Sequence, residues 1–468
     1  MTRVLVVLAA TCAALVWHGE ALRGQVVIEP TSPPGLGVVV RDGTKTHILR
    51  VDPPEVKSET VTAKAPVNYA SWMEPWQPWP SKGKDGSRLT MNLSPAADED
   101  GTQILSGLFR QILPDSIVVT SADGSRTFKK DEDYRLNEDW GQIVNLNNRL
   151  GAAGEAEVKV SFQYGLVRLD LVQKAPDGTV SVKKGVSRMV CPALPDPDPG
   201  CAALAGIFVD PWKKDGRYAL AADCIYPIAP KPPVLPIRKE AVSRTVAKLR
   251  EGKEVKIAFL GDSVTLGAEA PRWWADLWTE KNLGYPSRVI TALRKMYPRS
   301  VITPIAGFKG GTGTKYGLEV LEKTVLPEKP DLVLIAFGAN DMSGPIGGKP
   351  NNPVESFKSD IEALVRKAKE VGAEAMLICP LQTNPRIPKD ERAARLPSYR
   401  QAILDAGEEL SVAVADVTTE WLNQAFKGIP PFLLLHNCNN HPGIAGHQIY
   451  AEVILRFLEP AGTGRPRQ

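Results

Sequence analysis

Along the first half of the chain, apolar and polar residues alternate in short runs. In Ala156-Glu157-Val158-Lys159-Val160-Ser161-Phe162 every second side chain falls on one apolar face, the period of a strand with one side buried. Gly37-Val38-Val39-Val40 and Ser116-Ile117-Val118-Val119-Thr120 are equally short and β-branched. Pro176-Asp177-Gly178 lies between two apolar runs, 169–172 and 180–182, and signals a hairpin. Helical spacing is scarce from 27 to 225, so this stretch predicts an all-β sandwich of antiparallel strands. From 246 to 460 the pattern differs. Apolar runs at 255–260, 301–305, 332–337, 375–379 and 412–417 alternate with helix-like spacing at 287–296, 354–371 and 398–410, and a further helix is expected at 444–458. Such alternation predicts an α/β domain, a parallel sheet with helices on both faces, whose functional residues gather at the carboxyl ends of the strands.

Between the two patterns, residues 226–245 open with five prolines in eleven positions, an extended linker. At the start, Arg3 precedes an apolar run from Val4 to Trp17, followed by His18-Gly19-Glu20-Ala21. Residues 1–21 therefore read as a signal peptide, too short for an ordinary membrane span, with an uncleaved anchor or a lipoprotein through Cys12 as lesser readings. A secreted or periplasmic protein is expected, without stable membrane insertion after cleavage. Residues 461–468 read as a tail. Export permits disulfides, and Cys191 and Cys201, which bracket a Pro/Asp-rich loop, are the pair expected to bridge. Lys and Arg total 57 against 53 Asp and Glu, a balance too even to make nucleic acid the main partner.

Three strand ends carry unusual residues. The run 255–260 leads into Gly261-Asp262-Ser263-Val264, which sets a serine at a tight turn before a helix N-terminus, where amides stabilise negative charge. Alone, the tripeptide reads as a turn or cap. The second run leads to Gly307-Phe308-Lys309-Gly310-Gly311-Thr312-Gly313, where glycines permit close approach of backbone N–H groups; a flexible loop or a phosphate cradle is the plainer reading, but the Gly-Lys-Ser/Thr of a phosphate loop is missing. The third leads to Gly338-Ala339-Asn340-Asp341, whose Asn amide can donate to an oxyanion or merely cap a turn. Histidine is scarce, with five in the chain, so a serine hydrolase built on the second domain must take its base from His436, His441 or His447. His441 stands on the loop just before the last helix; His447 falls inside that helix and is expected to pack or cap.

These four blocks, in this order, resemble those of the SGNH (GDSL-like) hydrolase superfamily, over about 256–458. The resemblance implies a flavodoxin-like three-layer α/β fold. It also implies Ser263 as nucleophile, His441 as general base, and the N–H groups of Ser263 and Gly311 (Gly310 the near alternative) with the amide of Asn340 as oxyanion donors. Asp262 and Asp341 match positions that brace the site. No cofactor and no metal are implied. The common last block carries Asp three residues before the histidine; here that residue is Cys438. Either a backbone or Asn group orients His441, leaving a Ser–His dyad, or a carboxylate from another loop substitutes.

Exported relatives with an added β domain resemble carbohydrate O-acetylesterases, so a polysaccharide or small-molecule ester is the expected substrate. Trp72, Trp76 and Trp79, and Trp273, Trp274 and Trp278, are candidates for stacking on sugars, though tryptophans more commonly pack. The alternatives are a lysophospholipase or thioesterase, an inactive hydrolase fold that binds glycans, and a metal site of His436, His441 and His447, whose spacings fit no standard ligand motif.

Overall fold

A computed structural model describes residues 26–64, 91–93, 97–102, 108–146, 148–151, 156–213, 215–229, 237–271, 276–345, 347–388 and 390–460. The signal peptide, residues 230–236 of the proline-rich linker, the tail and Trp72, Trp76, Trp79, Trp273 and Trp274 lie outside the described residues. The chain forms two compact units. Described residues 237–422 and 440–460 make one; 26–229 together with 423–439 make the other.

The first unit is built on five parallel strands, Val255–Gly261, Ile302–Phe308, Leu332–Ala336, Glu374–Ile378 and Ala413–Ala415. Numbered in chain order they stand 2-1-3-4-5 across the sheet, the flavodoxin-like order. Their near-unbroken apolar sequences follow from burial on both faces. Ala258, Leu260, Val333, Ile335, Ala375 and Leu377 pack with Phe357, Ile361 and Ile403 of the helices Val354–Glu370 and Arg392–Glu409. The alternate residues Ile257, Phe259, Leu332, Leu334 and Met376 are equally buried, and the Phe259 ring meets Tyr285 of the helix Tyr285–Met296 at 6.4 Å. The parallel sheet and flanking helices expected from the sequence are present. Two boundaries differ by three residues or more. The second strand runs to Phe308, three residues beyond the apolar run, because its edge position keeps Gly307 and Phe308 in register with Leu260 and Gly261. The helix at Arg392–Glu409 begins six residues before 398 and carries Pro397 inside it.

The second unit is antiparallel wherever its described strands pair. Its strands divide among four small sheets of three, four, four and three strands. The alternating run becomes Glu157–Gly165, paired with Val56–Lys64. The expected hairpin joins Arg168–Lys174 to Val180–Lys183 through Pro176-Asp177-Gly178, where Gly178 takes φ +88°. Cys201 is a free thiol, so the expected Cys191–Cys201 bridge is not formed. Cys191 packs instead against the cluster around Met189, Val190 and Phe162, while Cys201 precedes the strand Ala202–Val209 of another sheet. The segment 423–439, which comes late in the chain, is packed into this unit. Gly428 lies so close to Gly206 that a Cβ on Gly206 would meet the Gly428 carbonyl at 1.9 Å, and Phe432 meets Phe208 edge-on at 5.3 Å. No described helix is long and apolar enough to cross a membrane.

Candidate active site

The order 2-1-3-4-5 puts the carboxyl ends of strands Val255–Gly261 and Leu332–Ala336 side by side, with Ile302–Phe308 on the other flank. The three sequence blocks that follow these strands therefore converge. Gly261 closes the first strand where only hydrogen fits: a Cβ there would meet Thr265 Oγ1 at 1.9 Å and the Ala336 carbonyl at 2.9 Å. Asp262 then caps the short helix Ser263–Leu266, its Oδ1 accepting the Val264 N–H at 2.9 Å. This turn sets Ser263 at the first helical position. Lys309 N–H donates to the Gly261 carbonyl at 3.1 Å and draws the glycine-rich loop alongside. A Cβ on Gly310 would lie 3.8 Å from that of Ser263, and Gly311 takes φ +74° with open space around it.

His441 completes the constellation. Its Nε2 lies 2.9 Å from Ser263 Oγ, hydrogen-bonding distance for proton transfer. Its Nδ1 lies 3.2 Å from Oε1 of Glu269, a carboxylate that the sequence reading did not single out. Glu269 is buried, as is His441. A signal for it was present: Glu269 is the sole acid between Ser263 and Asp276, and it sits among small apolar residues in Gly267-Ala268-Glu269-Ala270, where a solvated charge has no polar face to join.

The third block braces the site through its side chains. Asn340 Nδ2 donates to the Thr312 carbonyl at 2.9 Å and to Asp262 Oδ2 at 3.3 Å, tying the three loops together. Asp341 Oδ1 accepts from the N–H and hydroxyl of Thr314, at 3.0 and 2.8 Å, and from Asn352 Nδ2 at 3.3 Å. Burial raises the pKa of both acids, that of Asp262 to about 6 against the pull of the Val264 N–H and His441.

The other two histidines are engaged separately. His447 is fully buried in the helix Ile444–Leu458; its Nδ1 accepts the Tyr285 N–H at 3.3 Å and its ring stacks on Tyr285. Burial holds its pKa down at about 3, so it packs as a neutral ring. His436 belongs to the β-rich unit, where its Nε2 lies 3.1 Å from Asp98 Oδ2. Trp278 packs its ring against Phe259 at 5.4 Å and Phe308 at 6.1 Å.

Residues 259–449 match the GDSL-like Lipase/Acylhydrolase family. An acetylxylan esterase of Geobacillus stearothermophilus is 25% identical over 215 residues, 45% of this chain and 96% of that protein. Among solved structures, the acetylxylan esterase Axe2 of Geobacillus stearothermophilus is 23% identical over 44% of this chain and 94% of that one, with a TM-score of 0.38. LAE5, an alpha/beta hydrolase from the metagenome of Lake Arreo, Spain, is 20% identical over the same shares, with a TM-score of 0.38.

Proposed function

We propose, from the GDSL-like lipase/acylhydrolase domain that this chain carries over residues 259–449, that it is an exported esterase removing O-acetyl groups from a carbohydrate. The chain is a carboxylic ester hydrolase, to which we add an acetyl group, a sugar and a secreted or periplasmic setting. The observation that carries it is the 2.9 Å approach of His441 Nε2 to Ser263 Oγ at the mouth of the parallel sheet. The acetylxylan esterase among its relatives supports the choice of substrate class.

In this reading His441 takes the Ser263 proton as Oγ attacks the ester carbonyl. The tetrahedral oxyanion is held by the N–H groups of Ser263 and Gly311 and by the Asn340 amide. Both Asn340 donor hydrogens have acceptors at rest; the longer contact, to Asp262 at 3.3 Å, is the one an oxyanion would share. His441 returns its proton to the departing alcohol, leaving an acyl group on Ser263. Water activated by His441 then releases the acid. The Asp262 and Asp341 side chains act by holding the loops.

The test compares acetate release from acetylated xylan with hydrolysis of a long-chain acyl ester, for the wild type and Ser263→Ala. Acetate release by the wild type and its loss in Ser263→Ala are expected. Full activity in Ser263→Ala would remove the assignment of the nucleophile, and a preference for the long-chain ester would move the substrate from carbohydrate to lipid.

A further inference from the structure

We infer that Glu269 is the positioning residue that orients His441, so that the acid of this site comes from the nucleophile's own segment and not from the histidine's loop. The inference rests on the reading of Ser263 and His441 as nucleophile and base.

A neutral imidazole serves as a base at Nε2 only when its proton sits on Nδ1, and an acceptor at Nδ1 selects that tautomer. A carboxylate there also stabilises the imidazolium that forms once the serine proton is taken. Glu269 Oε1 lies 3.2 Å from Nδ1, on the side of the ring opposite Ser263, and is shielded from water. Burial of a carboxylate is costly unless it is paired and hydrogen-bonded, and the imidazole N–H supplies such a partner.

The backbone is shaped to deliver this side chain. The short helix ends at Gly267 with φ +84°, and Ala268 N–H donates back to the Ser263 carbonyl at 2.9 Å. Ala270 N–H then donates to the Gly267 carbonyl at 2.9 Å. Between them Glu269 takes φ +66°, the left-handed region that a non-glycine residue enters only when its surroundings demand it. The turn folds over the helix that begins at Ser263, so only five residues separate two groups that meet opposite nitrogens of one ring.

The ordinary source of the acid is meanwhile committed elsewhere. Cys438, three residues before His441, belongs to the β-rich unit. It packs against the cluster that includes Leu108, Ile112 and Tyr164, and its Sγ accepts from Gln111 Nε2 at 3.8 Å. An acid there would meet an apolar cluster, where burial of a charge is costly.

The experiment joins kinetics to the ring tautomer, read by nitrogen NMR of imidazole-labelled full-length protein. In the wild type at neutral pH, His441 is expected to carry its proton on Nδ1. Glu269→Gln, which keeps size and removes charge, is expected to lower kcat on the order of 1000-fold or more with KM little changed, and to reduce the Nδ1-protonated population. Glu269→Asp is expected to recover part of kcat and the wild-type tautomer. Wild-type activity in Glu269→Gln with an unaltered tautomer would overturn the inference. So would a wild-type His441 protonated on Nε2, a reading that needs no variant to fold. Failure of the esterase reading would look different: the wild type would hydrolyse no ester, while the tautomer would still report whether Glu269 holds the ring.

Discussion

At the scale of single residues, the site depends on carboxylates held where water does not reach them. Asp262 shows what this costs. Its pKa rises from 3.8 unfolded to about 6 folded, chiefly through burial. The folded state therefore holds the proton more tightly than the unfolded state. The stability this lends is complete below about pH 4 and is lost as pH climbs through 6. A rise of that size corresponds to about 3 kcal/mol. Asp262→Asn removes the titration, so urea unfolding from pH 3.5 to 7.5 is expected to show the wild type losing up to about 3 kcal/mol relative to the variant. Parallel curves for the two proteins would mean that Asp262 keeps an ordinary carboxylate pKa in the fold. His447 illustrates the opposite use of burial: with its pKa at about 3 it stays neutral at working pH, and it stood as a candidate base only because the chain has so few histidines.

At the scale of elements, the turns after the strands carry the geometry. Two glycines there are required for different reasons. At Gly261 the obstacle is contact, with Thr265 and the Ala336 carbonyl inside the space a Cβ needs. At Gly311 nothing lies within 4 Å, and only φ +74° favours glycine. Gly261→Ala is expected to cost about 1–3 kcal/mol as the strand and helix move apart, and to displace Ser263 enough to cripple hydrolysis. Gly311→Ala is expected to cost about 1 kcal/mol, with the rest of the fold retained. Thermal unfolding beside ester hydrolysis for both variants separates the two causes; equal losses of stability would contradict the distinction. The blocks at the strand ends were legible because glycine, Asn and Ser are poor residues for a buried parallel strand and stand out where an apolar run stops. Glu269 was harder to read, because it lies beyond the short helix, where no run ends and only its small apolar neighbours set it apart.

For the whole molecule, the division into two units cuts across chain order. Segment 423–439 leaves the hydrolase part of the sequence and packs in the β-rich unit, through Gly428 against Gly206, Phe432 against Phe208 and His436 against Asp98, before the chain reaches His441. A fragment of residues 237–468 keeps every residue of the candidate site but leaves the apolar side chains of this segment without their partners. It is expected to bind hydrophobic dyes, melt below the full chain and hydrolyse esters poorly. A fragment that unfolds cooperatively and retains full activity would show that the β-rich unit is dispensable to the site.

The sequence by itself determined the α/β order of the second half, the antiparallel strands of the first, and the serine, glycines and asparagine of the candidate site, and it narrowed the base to three histidines. Those features are written in local periodicity and in residues that break it, which short stretches of chain decide on their own. Only the tertiary structure decided what faces His441 Nδ1, which histidine meets the serine, where Cys191 and Cys201 point, and that 423–439 belongs with strands two hundred residues earlier. Each of these is a pairing between distant segments, fixed by how buried surfaces close on one another. The missing Asp before His441 was visible as an absence in the sequence; its replacement by Glu269 became visible only once the turn after Ser263 had folded back onto the ring.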